Sequence, residues 1–287
     1  MARPLVDTHC HLQDPRLRST LSDVLCRAAK AGLTHICNCS CNEVEWSDFS
    51  SLLQDTPASP KIVPAFGLHP WYAGEASPTY LNTLRSILHQ YPFSLMGELG
   101  LCKSRRGKQV PIHVQEQRCR EQLQLAEELQ RPVVLHCVGA HGRLLNLLTH
   151  APLLPHAILH AYSGSQDMVK AFIKLQFPVY FSFTAKQCVD MATSAKIRTI
   201  VAAVPLNRLL VETDAPDQRP SYAPSADAPV AFLDMDDLIK LEHNDPTAVK
   251  FALNYVALCM GRSVDEVATQ IYTNAMEAYQ FSPQENE

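Results

Sequence analysis

The amino-acid sequence predicts an α/β fold: a single-domain (β/α)8 TIM-type barrel over residues 1–287 with closing C-terminal helices. Three observations carry that prediction. Eight short apolar runs rich in β-branched residues recur along the chain, as expected of parallel strands covered on both faces. Each is followed by a helical stretch, with no repeat signature and no linker to a second domain. At 287 residues and 46% hydrophobic, the chain has the length and apolar content of one barrel, which takes about 250 residues.

Strand one is Pro4 to His11, "PLVDTHCH". Its period of two places Asp7, His9 and His11 on one face and Val6, Thr8 and Cys10 on the other. A helix follows from Thr20 to Ala31, ended by Gly32 at a C-cap position. Strand two, Thr34 to Ser40, leads into the alternating thiols Cys37, Cys39 and Cys41. At ~3.3 Å per residue the outer two lie about 13 Å apart, too far for one zinc ion with bonds of ~2.3 Å. They read as thiols packed on one strand face.

Strands three and four are Lys61 to His69 and Phe93 to Gly100. A helix from Val114 to Leu129 carries Leu123, Ala126 and Leu129 at helical spacing. Strands five to eight are Pro132 to Val138, Ala157 to Ser163, Pro178 to Thr184 and Arg208 to Pro216, with helices Asp167 to Leu175 and Ala195 to Val204 in the later intervals. The segment from Asp217 to Pro246 is long and contains Pro220, Pro224 and Pro229, the character of a lid or binding loop. Its acidic run, Asp234 to Asp237, reads as a solvated helix start. Helices Thr247 to Met260 and Ser263 to Phe281, with Gly261 as a C-cap between them, finish the chain.

The formal net charge is −4 and the pI near 6.3, which excludes a protein that holds nucleic acid by bulk positive charge. A polyanionic substrate must then be gripped by metal ions or a local basic patch. No run approaches the ~18 apolar residues of a membrane span. Strand one begins by Leu5, leaving no room for a secretory leader. The chain is therefore expected to be intracellular, cytoplasmic or nuclear, with its ten cysteines reduced.

Barrels of this kind build their sites at the C-terminal strand ends. Strand one supplies His9 and His11 there, strand three His69, strand four Glu98, strand five His136, strand six His160, and strand eight Glu212 and Asp214. So many carboxylates and imidazoles on one rim are hard to stabilise without cations. Mixed imidazole and carboxylate ligation suits zinc, manganese or magnesium. Four ligands complete one tetrahedral ion, so six with bridging water point to two. Glu98 is the natural bridge, with His9, His11 and Asp214 on one ion and His136 and His160 on the other. Two ions ~3.5–4 Å apart form a clamp for displacement at phosphorus.

The ordered set "DTHCH" (Asp7 to His11), "GLHP" (Gly67 to Pro70), "GELGL" (Gly97 to Leu101), His136, "HAYSG" (His160 to Gly164) and "ETDAP" (Glu212 to Pro216) resembles the TatD-type metal-dependent deoxyribonucleases of the amidohydrolase superfamily. The resemblance spans essentially the whole barrel. It implies nuclease activity on DNA with a divalent ion required, and it supports the same six ligands. Two positions depart from the family pattern: Cys102 stands where Asp is usual, and Val138 where Arg is frequent.

The expected activity is phosphodiester hydrolysis of DNA, at ends or short single strands, by exonucleolytic trimming or incision at damaged sites. A water activated by the two ions attacks, Asp214 serves as ligand and general base, and His69 contacts the scissile phosphate or leaving group. The basic run "KSRRGK" (Lys103 to Lys108) brings Arg105 and Arg106 near the rim, and Arg143 lies seven residues after His136. These three are the candidate phosphate contacts. Two rival readings stand beside this one: an amidohydrolase of a small amide, ester or lactone, and a degenerate, non-catalytic metal-binding barrel.

Overall fold

The apolar runs all become strands, in an order that follows the sequence. The computed structural model describes residues 4–54, 59–150, 153–189, 191–220 and 240–280. The strands are β1 Leu5–Cys10, β2 Leu33–Cys39, β3 Lys61–Phe66, β4 Leu95–Cys102, β5 Val133–Val138, β6 Ala157–Leu159, β7 Val179–Thr184 and β8 Leu209–Glu212. Each pairs in parallel with the next. The seam between β8 and β1 is closed at the end of β1 and just past β8, by a bridge from Cys10 to Ala215 and by His11 N–H donating to the Ala215 carbonyl at 2.7 Å.

The helices are α1 Pro15–Arg18, α2 Leu21–Lys30, α3 Glu43–Gln54, α4 Tyr80–Gln90, α5 Ile112–Glu128, α6 His141–Thr149, α7 Gln166–Ile173, α8 Ala185–Val189, α9 Met191–Ala203, α10 Val249–Met260 and α11 Val264–Ala278. The sequence reading delimits α2, α5, α7, α9, α10 and α11 to within a few residues, but not α1, α3, α4, α6 or α8. The signal in α3 was legible, since Trp46, Phe49 and Leu52 recur every three residues and are buried. The acidic run at Asp234 and the end of the closing helix at Phe281 lie outside the described residues.

Every strand contributes to an inner core: Val6, Cys37 and Cys39, Val63, Leu95, Val134, Ile158, Tyr180 and Leu210. Ala275, Ala278 and Tyr279 from the end of α11 join that cluster, so the closing helix seals the barrel. Asn274 fastens it, donating to the carbonyls of Leu206 and Leu209 at 2.8 Å each. A second, larger core lies between barrel and helices and includes Leu33, Ile36, Phe66, Leu135, Phe181 and Val211.

Three expectations are corrected. The simple alternation of β1 fails, because Val6 faces the inner core while Cys10 belongs to the outer one. Register shifts, one of them between Asp7 and Cys10, break the period of two. β6 stops at Leu159, short of Ser163, because Ala161 takes a left-handed backbone (φ 41°) and turns the chain out of the sheet after His160. Cys41 lies beyond the end of β2, so the three thiols do not share one strand face.

Close approach of β4 and β5 depends on Gly100. Its φ is 142°, and a Cβ there would meet the His136 carbonyl oxygen at 2.1 Å. A larger residue would push apart the two strands that carry Glu98 and His136.

Candidate metal centre

The same strand ends gather seven side chains. His9 sits in β1, Glu98 in β4 and His136 in β5, while His11, His69, His160 and Asp214 stand just past β1, β3, β6 and β8. Glu98 occupies the middle and divides its two oxygens. Oε2 lies 3.3 Å from His9 Nε2 and 3.7 Å from His11 Nε2. Asp214 Oδ1 faces the same two nitrogens, at 3.7 and 3.3 Å. Oε1 lies 2.7 Å from His136 Nδ1 and 2.9 Å from His160 Nε2.

This donor set fits divalent ions. The paired nitrogens of His9 and His11 are 3.2 Å apart, and those of His136 and His160 3.1 Å. Neighbouring ligands on one ion with bonds of ~2.0–2.2 Å lie about 3–3.5 Å apart. Two imidazole lone pairs facing each other at that distance repel unless a cation or proton stands between them.

Three of the rings are backed on the side away from the centre, and for His11 the contact fixes which nitrogen faces inward. His11 Nδ1 lies 2.7 Å from the Cys39 carbonyl and must donate to it, which leaves the Nε2 lone pair for an ion. His9 Nδ1 rests on Cys39 Sγ at 3.3 Å. His160 Nδ1 lies 3.4 Å from Glu212 Oε1, a contact without hydrogen-bond geometry, and that same oxygen accepts from Ala161 N–H at 2.6 Å. Glu212 thus stands behind His160 and does not face the ion site.

His69 differs from the rest. The Trp71 N–H donates to its Nδ1 at 3.1 Å, so the neutral ring carries its proton on Nε2 and presents N–H to Glu98 Oε1 at 3.4 Å. Burial brings its pKa down to about 4. Burial alone would raise the carboxyls of Glu98 and Asp214, but the imidazoles around them hold both below the usual range. The Cys41 thiol is pushed up to about 12 by burial, and the Cys102 thiol is drawn down to about 7 because His136 outweighs its burial. Asp214 is held in the left-handed region (φ 56°), a strain of order 1–3 kcal/mol that aims its carboxylate inward. Its own N–H donates to the His9 carbonyl, and Asp7 ties the seam by accepting from Thr213 N at 2.9 Å. Asp7 therefore supports the site from behind and is not part of it.

A cleft of about 380 Å³ opens over the donors. Arg16, Cys41, His69, Trp71, Tyr72 and Arg106 are among its lining residues. Arg106 lies over the Trp71 ring at 4.2 Å and donates to the Tyr72 hydroxyl at 3.0 Å. Arg105 is exposed and outside the lining set. Arg143 pairs with Glu116 at 2.7 Å and lines a separate depression with Arg120 and Asn146. Trp71, Tyr72 and Arg16 escaped the sequence reading. Trp71 and Tyr72 directly follow the motif "GLHP", which was the one available signal.

Eight strand–helix units with an imidazole–carboxylate cluster at the C-terminal rim define a metal-dependent hydrolase barrel. The chain belongs to the TatD related DNase family, whose family model matches residues 6–280. A 3'-5' ssDNA/RNA exonuclease TatD of Pantoea vagans is 29% identical over 280 residues, covering 97% of this chain and all of that one. The uncharacterized metal-dependent hydrolase YjjV of Escherichia coli is 30% identical over 214 residues, 74% of this chain and 79% of its own length. A crystal structure of a TatD family hydrolase from Entamoeba histolytica superposes with a TM-score of 0.81 at 18% identity, covering 97% of this chain and 99% of that one. No described helix is long and apolar enough to cross a membrane.

Proposed function

We propose that this chain is a two-metal phosphodiesterase that trims single-stranded nucleic acid, DNA foremost, from an end. The observation that supports it best is the division of Glu98: each oxygen serves a separate pair of imidazoles. His9, His11 and Asp214 with Oε2 would hold one ion, and His136 and His160 with Oε1 the other. Zinc, manganese and magnesium all suit that set. Bound ions supply Lewis acidity, charge neutralisation for a phosphate and an acidified water as nucleophile.

The residues themselves do the rest. Asp214, held at the cleft, accepts a proton at its carboxylate and acts as general base. His69 presents its Nε2 proton to an oxygen of the phosphate or leaving group. Among the described residues that line the cleft the cations are Arg106 and Arg16, the latter already paired with Asp14 and Asp217 at 2.8 Å each. That set is too small for a long duplex footprint and suited to one strand end. The relatives named as ssDNA/RNA exonucleases support single-stranded substrates. Ten free thiols support a reducing compartment, cytoplasm or nucleus, as the place of action.

A metal-reconstituted sample assayed side by side on end-labelled single-stranded DNA, duplex DNA and a panel of small esters and amides tests the reading. Stepwise shortening of the single strand is expected. Turnover of a small ester with intact DNA overturns it in favour of a small-molecule amidohydrolase, and full metal occupancy without turnover of any substrate supports the non-catalytic barrel.

A further inference from the structure

The chemistry above leaves one motif unused, the alternating thiols "CNCSC", and the last of them stands at the metal centre. Cys37 points into the barrel core, and Cys39 backs the His9 ring. Cys41 is different. Its Sγ lies 4.0 Å from Glu98 Oε2, and it lines the cleft. Its other 4.0 Å approach is to His11 Nδ1, the ring nitrogen that donates to the Cys39 carbonyl, so the oxygen of Glu98 carries the geometry. Glu98 Oε2 is the oxygen that His9 and His11 already share. His11, Cys41 and Glu98 thus form one compact donor group.

The backbone holds the thiol there. Cys41 N–H donates to Glu45 Oε2 at 2.8 Å, and its carbonyl accepts from His69 N–H at 2.8 Å. The Ser40 carbonyl accepts from Glu98 N–H at 3.1 Å, tying the end of β2 to the strand that carries the bridge. A zinc ion bonded to sulfur at ~2.3 Å and to carboxylate oxygen at ~2.1 Å keeps those atoms about 3.6–3.8 Å apart. The observed 4.0 Å is a few tenths from that span. The ~13 Å between the outer thiols of an extended strand excludes all three from one ion. It does not exclude one thiol joining a histidine and a carboxylate.

We propose that Cys41 supplies a thiolate ligand to the ion on the Glu98 Oε2 side of the centre, together with His11, and thereby selects zinc over magnesium at that position. The proposal rests on the two-ion reading above. Thiolate is a soft ligand that suits zinc and cobalt, whereas magnesium takes oxygen ligands in a strict octahedron. Coordination removes the thiol proton outright, and zinc tolerates a fifth ligand.

Cobalt(II) loaded into the full chain is the direct probe, because thiolate bonded to cobalt absorbs in the near ultraviolet and imidazole and carboxylate ligands do not. Wild type and Cys26→Ser, whose exposed thiol is remote from the site, should show the band, and Cys41→Ser should lose it while still binding cobalt by elemental analysis. Competition against a chelator should show Cys41→Ser weaker for zinc by at least about tenfold, the lower bound for losing even an outer partner of a ligand. Magnesium affinity should not move. Cobalt bound by wild type without the band overturns the thiolate ligand whatever the variant does, and so does a band that survives Cys41→Ser. Wild type that takes up no cobalt at all brings down the metal reading itself.

Discussion

Glu98 is the residue on which the centre turns, because one side chain serves both imidazole pairs. Glu98→Ala is expected to lose most of both ions, while His160→Ala should lose chiefly one. Elemental analysis of protein purified without chelator decides this, and full occupancy in Glu98→Ala would falsify the bridge. Asp214 separates ligand from base. Asp214→Asn retains a coordinating amide oxygen but cannot accept a proton, so turnover should fall ~10²–10⁴-fold with a smaller loss of metal. Near-normal turnover in the Asn variant removes Asp214 from the proton transfer.

At the scale of elements, the loop between β4 and α5 carries four cations, but only Arg106 of the two central arginines reaches the cleft. Arg106→Ala should flatten the dependence of single-strand affinity on salt by about 0.7, one phosphate contact's worth, and Arg105→Ala should leave it unchanged. Binding titrations at several salt concentrations distinguish the two, and equal slopes for wild type and Arg106→Ala assign the loop to solvent. The closing helix makes a second test. Asn274 satisfies the half-buried Leu206 carbonyl ahead of β8 and the buried Leu209 carbonyl at its start, so Asn274→Ala should cost about 1–3 kcal/mol in denaturant unfolding, with metal content per folded molecule unchanged.

For the molecule as a whole, the candidate ligands come from strands spread around the entire barrel, from β1 to the end of β8. Ions that bind only the folded state therefore hold the seam as well as the site. Adding a divalent ion at about 100 times its Kd should stabilise the chelated protein by about 2.7 kcal/mol per site, seen as a higher unfolding midpoint. A midpoint that ignores zinc, manganese and magnesium alike contradicts a centre built from both ends of the chain.

Strand number, strand order and the rim histidines were legible in the sequence, because apolar period, strand-end position and ligand chemistry are local properties. Glu98, His136 and Asp214 could be read from "GELGL", "VVLHCV" and "ETDAP" without knowing a single distance. What the tertiary structure decided was partnership. The register shifts along β1 leave Val6 facing inward and Cys10 outward, against the simple alternation. Arg143 is claimed by Glu116 on α5, and Arg106 by the ring of Trp71. Cys41 leaves its strand and meets Glu98, 57 residues away. Sequence period specifies which face a residue takes, but the atoms opposite that face come from other strands, and only closure of the barrel brings them within bonding distance.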